Sequence, residues 1–343
     1  MVKKIVVTGA AGFIGFHLSE KLLNLGYHVL GIDNLNNYYS VELKAARLAI
    51  LQKYPNFTFH KIDITNYNEL KNVIDDSYKV IVHLAAQAGV RYSLEDPWTY
   101  IQTNVLGHLN ILEVCHRIPN FDRLIYASSS SVYGNGGKEG FGQGGPMSVS
   151  DRVDNPVSLY AATKKADELM TATYVHLYNF RAIGLRFFSV YGKMARPDMA
   201  PMKFTKKIIE GEPIDVYNYG DLKRDFTYVD DIVDGIIKCL SVKLPETEKH
   251  KIYNLGNNKP EKLMDFIQIL EKHIGKKAIL NMLPMQKGDV YETYADISES
   301  EKDLNYKPRV TLDEGLKSMV QWYQPFFEQK SLRGKNSTSH FLN

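Results

Sequence analysis

The stretch Lys3 to Gly15, KKIVVTGAAGFIG, constrains the fold more than any other part of the chain: a short apolar run feeds a glycine-rich turn. Ile5, Val6 and Val7 suit a buried parallel strand. Glycines at 9, 12 and 15 let the backbone turn tightly and approach a pyrophosphate at the N-terminus of the next helix. The spacing G-x-x-G-x-x-G is one residue longer than the standard dinucleotide fingerprint, so the turn alone also reads as purely structural. Its context separates the two readings. Phe16 to Asn24 carries Leu18, Leu22 and Leu25 at helical spacing, with Gly26 as the stop. A second apolar run, Tyr27 to Ile32, ends in Asp33, close to the ~20-residue interval at which an acid accepts the ribose hydroxyls of a dinucleotide. A carboxylate there repels a 2'-phosphate, so the pattern predicts NAD rather than NADP. Gly9, Gly12, Phe13, Ile14 and Gly15 would surround the pyrophosphate, and Asp33 would hold the ribose.

Further runs extend the pattern. Asn34 opens a loop rich in Asn and Tyr, and it reads equally as an adenosine contact or as a loop former. Phe57 to Ile62 predicts a strand ending at Asp63, where an adenine ring would be recognised beside Ile64. Lys79 to Leu84 predicts another; the small Ala85 and Ala86 after Leu84 let a cofactor pass close to the backbone, and His83 reads as a core histidine. Arg91 lies in the loop beyond, at a strand's carboxyl end where open α/β sheets place ligands. It reads as a substrate contact or as a solvated loop arginine. A helix is predicted from Thr103 to His116, with Asn104 near its start on the cofactor side.

The strand Arg123 to Ser128 runs into a serine tract, Ser128 to Ser131, with Ser128 expected at the cofactor. In the predicted helix Ser158 to Tyr178, Tyr160 and Lys164 stand four residues apart and share a face. An ammonium and a nicotinamide's positive charge beside a phenol favour phenolate, lowering a pKa that starts near ~10. Tyr160 can then act as a base.

The strand and helix alternation predicts an α/β fold with a doubly wound parallel sheet. Charges of 42 basic against 39 acidic residues are too balanced for a nucleic-acid partner. No apolar run reaches the ~18 residues of a membrane span, so the expectation is a soluble, cytoplasmic protein. Cys115 and Cys239 lie far apart, which suggests neither a disulfide framework nor a metal site.

Taken together, TGAAGFIG, SSSSVYG and YAATK resemble the extended short-chain dehydrogenase/reductase family in its NAD-dependent nucleotide-sugar epimerase branch. The segments HLAAQAGVRYSLEDPWTYIQTNVLG, RPDMA, YNYGDLKRDFTYVDDIV and QKGDVYETYAD resemble the UDP-glucuronate 4-epimerases in particular, and the likeness runs from about Val2 to Tyr323. It implies a Rossmann domain, 1–188 plus 226–240, and a smaller mixed α/β lobe for the UDP-sugar, 189–225 plus 250–328. A polar tail, 331–343, is expected to be disordered.

The resemblance also implies roles. Tyr160 would be the catalytic base, Lys164 would bind the nicotinamide ribose and tune it, and Ser129 would hydrogen-bond the sugar's O4. Ser130 would touch substrate. Related dehydratases and decarboxylases carry acids where this chain has Ser130 and Ser131, so epimerisation is favoured over elimination or carboxylate loss. Arg196 and Ser189 would hold a glucuronate carboxylate, Arg224 the diphosphate and Tyr217 the uracil. Gln286 and Asp289 fit the glucuronate-type pattern. The implied reaction is reversible 4-epimerisation of UDP-glucuronate to UDP-galacturonate through a 4-keto sugar. Its rivals are a UDP-glucose/UDP-galactose epimerase, a nucleotide-sugar lyase, and a non-enzymatic NAD-binding sensor. Relatives pack the helices holding Asn104 and Tyr160 into a homodimer.

Two departures stand out: Met194-Ala195 replaces a frequent Trp-Gly, and a glycine-rich segment, 134–145, reads as a surface loop or as a lid. Capping signals are expected at Asp230, at Ser298 with Glu301, and at Thr311 with Glu314.

Overall fold

In the computed structural model, residues 3–134, 145–285 and 291–334 are described. The apolar runs become strands β1 (Lys4–Thr8), β2 (His28–Asp33), β3 (Phe57–Lys61), β4 (Val80–His83), β5 (Arg123–Ser129) and β6 (Arg181–Phe187), joined by β7 (His250–Leu255). Their order across the sheet is β7-β6-β5-β4-β1-β2-β3, and every pairing is parallel. Successive side chains alternate between faces. Val7, Val82 and Ile125 join one buried cluster, while Val6, Ile81 and Leu124 join another. The sheet is therefore covered on both faces, which is why its strands read as unbroken apolar runs. Strand order reverses between β1 and β4, and an open parallel sheet forms its ligand crevice at that reversal.

The strand β7 differs from the sequence expectation, which placed 250–328 in the sugar lobe. Its residues pair with β6 from His250 opposite Ala182 to Leu255 opposite Phe187, so it forms the edge of the main sheet. The short alternating elements around it hid this long-range pairing. The smaller lobe has a five-stranded sheet from Ser189–Tyr191, Lys223–Tyr228, Pro260–Lys262, Glu292–Ala295 and Pro146–Met147, plus a parallel pair, Pro213–Val216 with Ile279–Met282. Pro146–Met147, inside the range expected for the Rossmann domain, adds a strand to this second sheet. Buried Asp225 ties the lobe together, accepting from the backbone N–H groups of Asn257, Asn258 and Ala295 and from the Thr227 hydroxyl.

Local signals meet mixed outcomes. The helix expected from Thr103 begins at Pro97 under an Asp96 cap, then passes through a π-helical stretch, Ile101–Leu106, into Gly107–Arg117. Thr311 and Glu314 form the capping box reciprocally at 3.0 and 3.3 Å. Ser298 does not form one with Glu301, because its N–H and hydroxyl both turn back to Asp296. Asp230 lies in the first turn of Val229–Cys239, two residues past the cap position at Tyr228. The last helix, Leu312–Gly334, enters the stretch expected to be disordered; 335–343 lie outside the described residues, as do 135–144 of the glycine-rich segment. Among the described residues, no helix is long and apolar enough to cross a membrane, and no cluster of ligating side chains could hold a metal.

Candidate active site

The turn after β1 is built from backbone constraints. Gly9 adopts φ +71°, and a Cβ on it would lie 2.8 Å from the backbone nitrogen of Ala85. A Cβ on Gly15 would lie 2.0 Å from the Gly9 carbonyl oxygen. Glycine is thus required sterically at both positions. The helix Phe13–Asn24 begins here, and Phe16 N–H donates to Gly12 O at 3.0 Å. The N–H groups of Phe13, Ile14 and Gly15 precede it and have no intrahelical acceptor, so they form an anion cradle. Asp33, at the end of β2, accepts from Ala11 N–H at 3.1 Å and from Leu35 N–H at 2.8 Å. Each carboxylate oxygen retains lone pairs for ribose hydroxyls.

These groups open onto a cavity of about 610 Å³. Along one wall run Gly9, Gly12, Phe13, Ile14, Gly15 and Asp33, followed by Asn34, Ile64, Leu84, Ala85 and Ala86. Arg91, Ser128, Ser129, Ser130, Tyr160, Lys164, Ser189 and Arg196 line the rest. The steric demand for glycine, the orphan N–H groups and the acid at the strand end together fit an NAD.

Two residues expected at the cofactor act from behind the wall. Asp63 accepts from Asn34 Nδ2 at 2.8 Å and from the Thr65 N–H and hydroxyl. Burial pushes its carboxyl up, but these hydrogen bonds outweigh burial and hold it below the usual range. Asn104, 2% exposed, accepts from Gln87 N–H and donates to Gln87 O and Thr163 Oγ1. Its amide is spent, so it shapes the loop after β4 rather than reaching a ligand. Ser128 borders the cavity, but its hydroxyl is donated to Glu168 at 2.7 Å.

The helix Leu159–Tyr178 starts at the cavity, with Ser158 Oγ accepting from Ala161 N–H. Tyr160 stands in its first turn, at the positive end of the helix dipole. Its hydroxyl makes no hydrogen bond among the described residues, and its ring meets Tyr100 edge-on at 6.1 Å. Lys164 donates to Ala127 O at 2.9 Å and to Asp167 Oδ2 at 3.1 Å, leaving one ammonium hydrogen for a ligand. Ser129 Oγ accepts from the Ser131 N–H and hydroxyl.

Sequence reading missed Asp167. It is buried one turn beyond Lys164, and burial lifts its carboxyl to about 6 against the pull of that ammonium. His83 is a core residue, as read: it pairs with Thr8 Oγ1 at 2.7 Å, and burial pushes its imidazole down to about 3.

At the substrate end, Arg196 lines the cavity with its guanidinium held by Asp198. Tyr217 and Arg224 lie off the cavity wall, next to residues that form it. The Arg91 guanidinium sits over the Tyr217 ring at 5.8 Å, and Arg224 is the register partner of the lining residue Thr293. Gln286 and Asp289 lie outside the described residues.

Arg47 was also missed as more than a helix position. Fully buried, it donates to Ala11 O, Tyr39 Oη and Met194 O, bridging the glycine turn to the Arg196 segment. No local signal marks such a bridge, because the two carbonyls it joins lie 36 and 147 residues away.

Comparison with known proteins places these features in context. The profile of the NAD dependent epimerase/dehydratase family matches residues 5–256. A UDP-glucuronate 4-epimerase of Thermodesulfobacterium geofontis is 46% identical over 319 residues, covering 92% of this chain and 95% of its own length. UDP-glucuronate 4-epimerase 1 of Arabidopsis thaliana is 43% identical, over 94% of this chain and 77% of its own. The crystal structure of a Bacillus cereus UDP-glucuronic acid 4-epimerase with UDP-glucuronic acid and NAD superposes with a TM-score of 0.85 at 35% identity, covering 94% of this chain and 99% of that one.

Proposed function

The chain belongs to the NAD dependent epimerase/dehydratase family, and from that premise we propose that it interconverts UDP-glucuronate and UDP-galacturonate by epimerisation at C4. The observation that carries the reading is one cavity that joins an NAD cradle, an uncommitted tyrosine hydroxyl in a helix's first turn, and an arginine suited to a carboxylate. Bound NAD would supply a reversible hydride acceptor for C4, and the sugar would pass through a 4-ketone.

The chain's own residues supply the rest. The Phe13, Ile14 and Gly15 N–H groups hold the pyrophosphate and Asp33 holds the adenosine ribose. Tyr160 removes the O4 proton and gives it back, and Lys164, four residues on along the same helix face, binds the nicotinamide ribose. Ser129 hydrogen-bonds O4, and Ser130 contacts the sugar beside it. Arg196 and Ser189 hold the carboxylate, while Arg91 and Arg224 serve the diphosphate and Tyr217 the uracil. With serine at both 130 and 131, the tract offers no carboxyl to act as acid or base in an elimination.

Oligomeric state and place of action belong to the same proposal. Trp98, Ile101 and Leu106 on one helical stretch, with Leu169 and Leu177 on the helix packed against it, expose apolar side chains. Clustered apolar exposure of this kind marks an interaction surface, and a second copy presenting the same helices would cover it as a homodimer. Cys115 and Cys239 are buried free thiols, in keeping with a reducing cytoplasm.

The test is turnover of UDP-glucuronate followed by NMR. Tyr160→Phe is expected to lose about 10³-fold in rate while keeping bound NAD and UDP affinity. A variant retaining most of the wild-type rate would remove Tyr160 from the proton transfer.

A further inference from the structure

Arg196 and Asp198 stand two residues apart beside the cavity. The guanidinium meets the carboxylate along one edge: Nε donates to Oδ1 at 3.0 Å and Nη2 donates to Oδ2 at 2.7 Å. The Tyr38 hydroxyl donates to the same Oδ2 at 3.5 Å. A guanidinium carries five N–H donors in a planar fork, and this clamp uses the two on the Nε–Nη2 edge. The two on Nη1 and the outer one on Nη2 meet no acceptor among the described residues. They form a second edge of matching geometry for a carboxylate.

We propose that Asp198 is the positioning residue of the carboxylate site: by filling one edge of Arg196 it fixes the guanidinium plane and leaves the Nη1–Nη2 edge for the acid group of the substrate. The inference rests on the reading of the cavity as a UDP-glucuronate site. The charges of Arg196 and Asp198 cancel, so an arriving carboxylate gains direction more than attraction. Direction matters chemically because the 4-keto acid can lose carbon dioxide. In that loss the C5–C6 bond breaks, its electron pair passes into the C4 ketone, carbon dioxide departs, and C5 takes a proton from solvent. Asp198 thus acts through Arg196 on how the C5–C6 bond lies against the ketone.

The experiment compares wild type, Asp198→Asn and Asp198→Ala. It measures kcat and KM with UDP-glucuronate, the fraction of product that is a UDP-linked pentose by NMR, and UDP affinity by calorimetry. Freed of its internal counter-charge, Arg196 attracts the substrate at least as well, so KM should fall or stay within about threefold, while kcat falls about tenfold, near one charge-assisted hydrogen bond. The pentose fraction should rise about tenfold, and UDP affinity should stay within about twofold, reporting a folded site. If both variants keep wild-type kcat and product ratio, the positioning role is overturned and the proposed reaction stands. If both variants lose UDP affinity with an unchanged product ratio, Asp198 is structural and the positioning role is again overturned. A wild type that forms no UDP-galacturonate from UDP-glucuronate would overturn the reaction, and this inference with it.

Discussion

Arg186 and Arg196 each give Nε and Nη2 to a carboxylate, Arg186 to Glu168 at 2.8 and 3.0 Å and Arg196 to Asp198 at 3.0 and 2.7 Å. Their surroundings differ. Arg186 is 3% exposed, lies over the Tyr133 ring at 4.8 Å, and leaves Nη1 without a hydrogen-bond partner. Glu168 also accepts from Ser128, so this pair joins β5, β6 and the helix that carries Tyr160. Arg196 instead borders the cavity, where its second edge can meet a ligand. The same two-pronged contact is a joint where it is sealed, and where its outer edge borders a cavity it is the binding element proposed above.

The sealed pair yields the largest expected effect. Glu168→Ala leaves a buried guanidinium without its counter-charge, which should cost about 3–5 kcal/mol of stability, read from denaturant unfolding. A loss below about 1 kcal/mol would mean that solvent reaches Arg186, and the contrast with Arg196 would collapse.

At the open pair the effect should appear in chemistry rather than in stability. Arg196→Ala leaves Asp198 partly solvated, so stability should change by no more than about 1 kcal/mol. Clean epimerisation should fall about 10²- to 10³-fold, the range seen when one preorganised charge-stabilising contact is removed, while oxidation of the sugar persists. An unchanged yield of UDP-galacturonate would place the carboxylate elsewhere.

How far each region could be read from sequence follows the same division. The glycine turn and Asp33 were legible because their constraints are local: Gly15 must lack a Cβ on account of Gly9, six residues back, and Asp33 ends its own strand. Tyr160 and Lys164 share a helix face, which spacing alone reports. Arg196 was found by resemblance, and the acid two residues later in RPDMA was in plain view. That the two side chains would clamp depends on the turn in which Met199 N–H reaches Arg196 O at 3.2 Å. Asn104 carries the residue type of a ligand contact, yet its donors and acceptor are consumed by Gln87 and Thr163, while Asp63 is held by Asn34 and Thr65. The strand β7 was misplaced because its partner, β6, lies across the intervening segments of the smaller lobe.

A third pair, Lys164 with Asp167, lies between these extremes. Its ammonium borders the cavity, whereas its carboxylate is 1% exposed and leaves Oδ1 without a partner. Burial lifts Asp167 to about 6, against about 3.9 in an unfolded chain. The folded protein therefore holds the proton more tightly. The sign follows from linkage: this group's contribution is fully present below about pH 3.9 and is lost as pH rises through about 6. Asp167→Asn removes the titration, so the stability difference between wild type and variant should drift by about 2 kcal/mol between pH 4 and 7, moving against the wild type as pH rises. Unfolding measured across that range checks it. A slope would place the carboxylate with the sealed Glu168–Arg186 joint despite its open ammonium. A flat difference would mean that Lys164 or water already satisfies it, and that the pair behaves as the open one at Arg196 does.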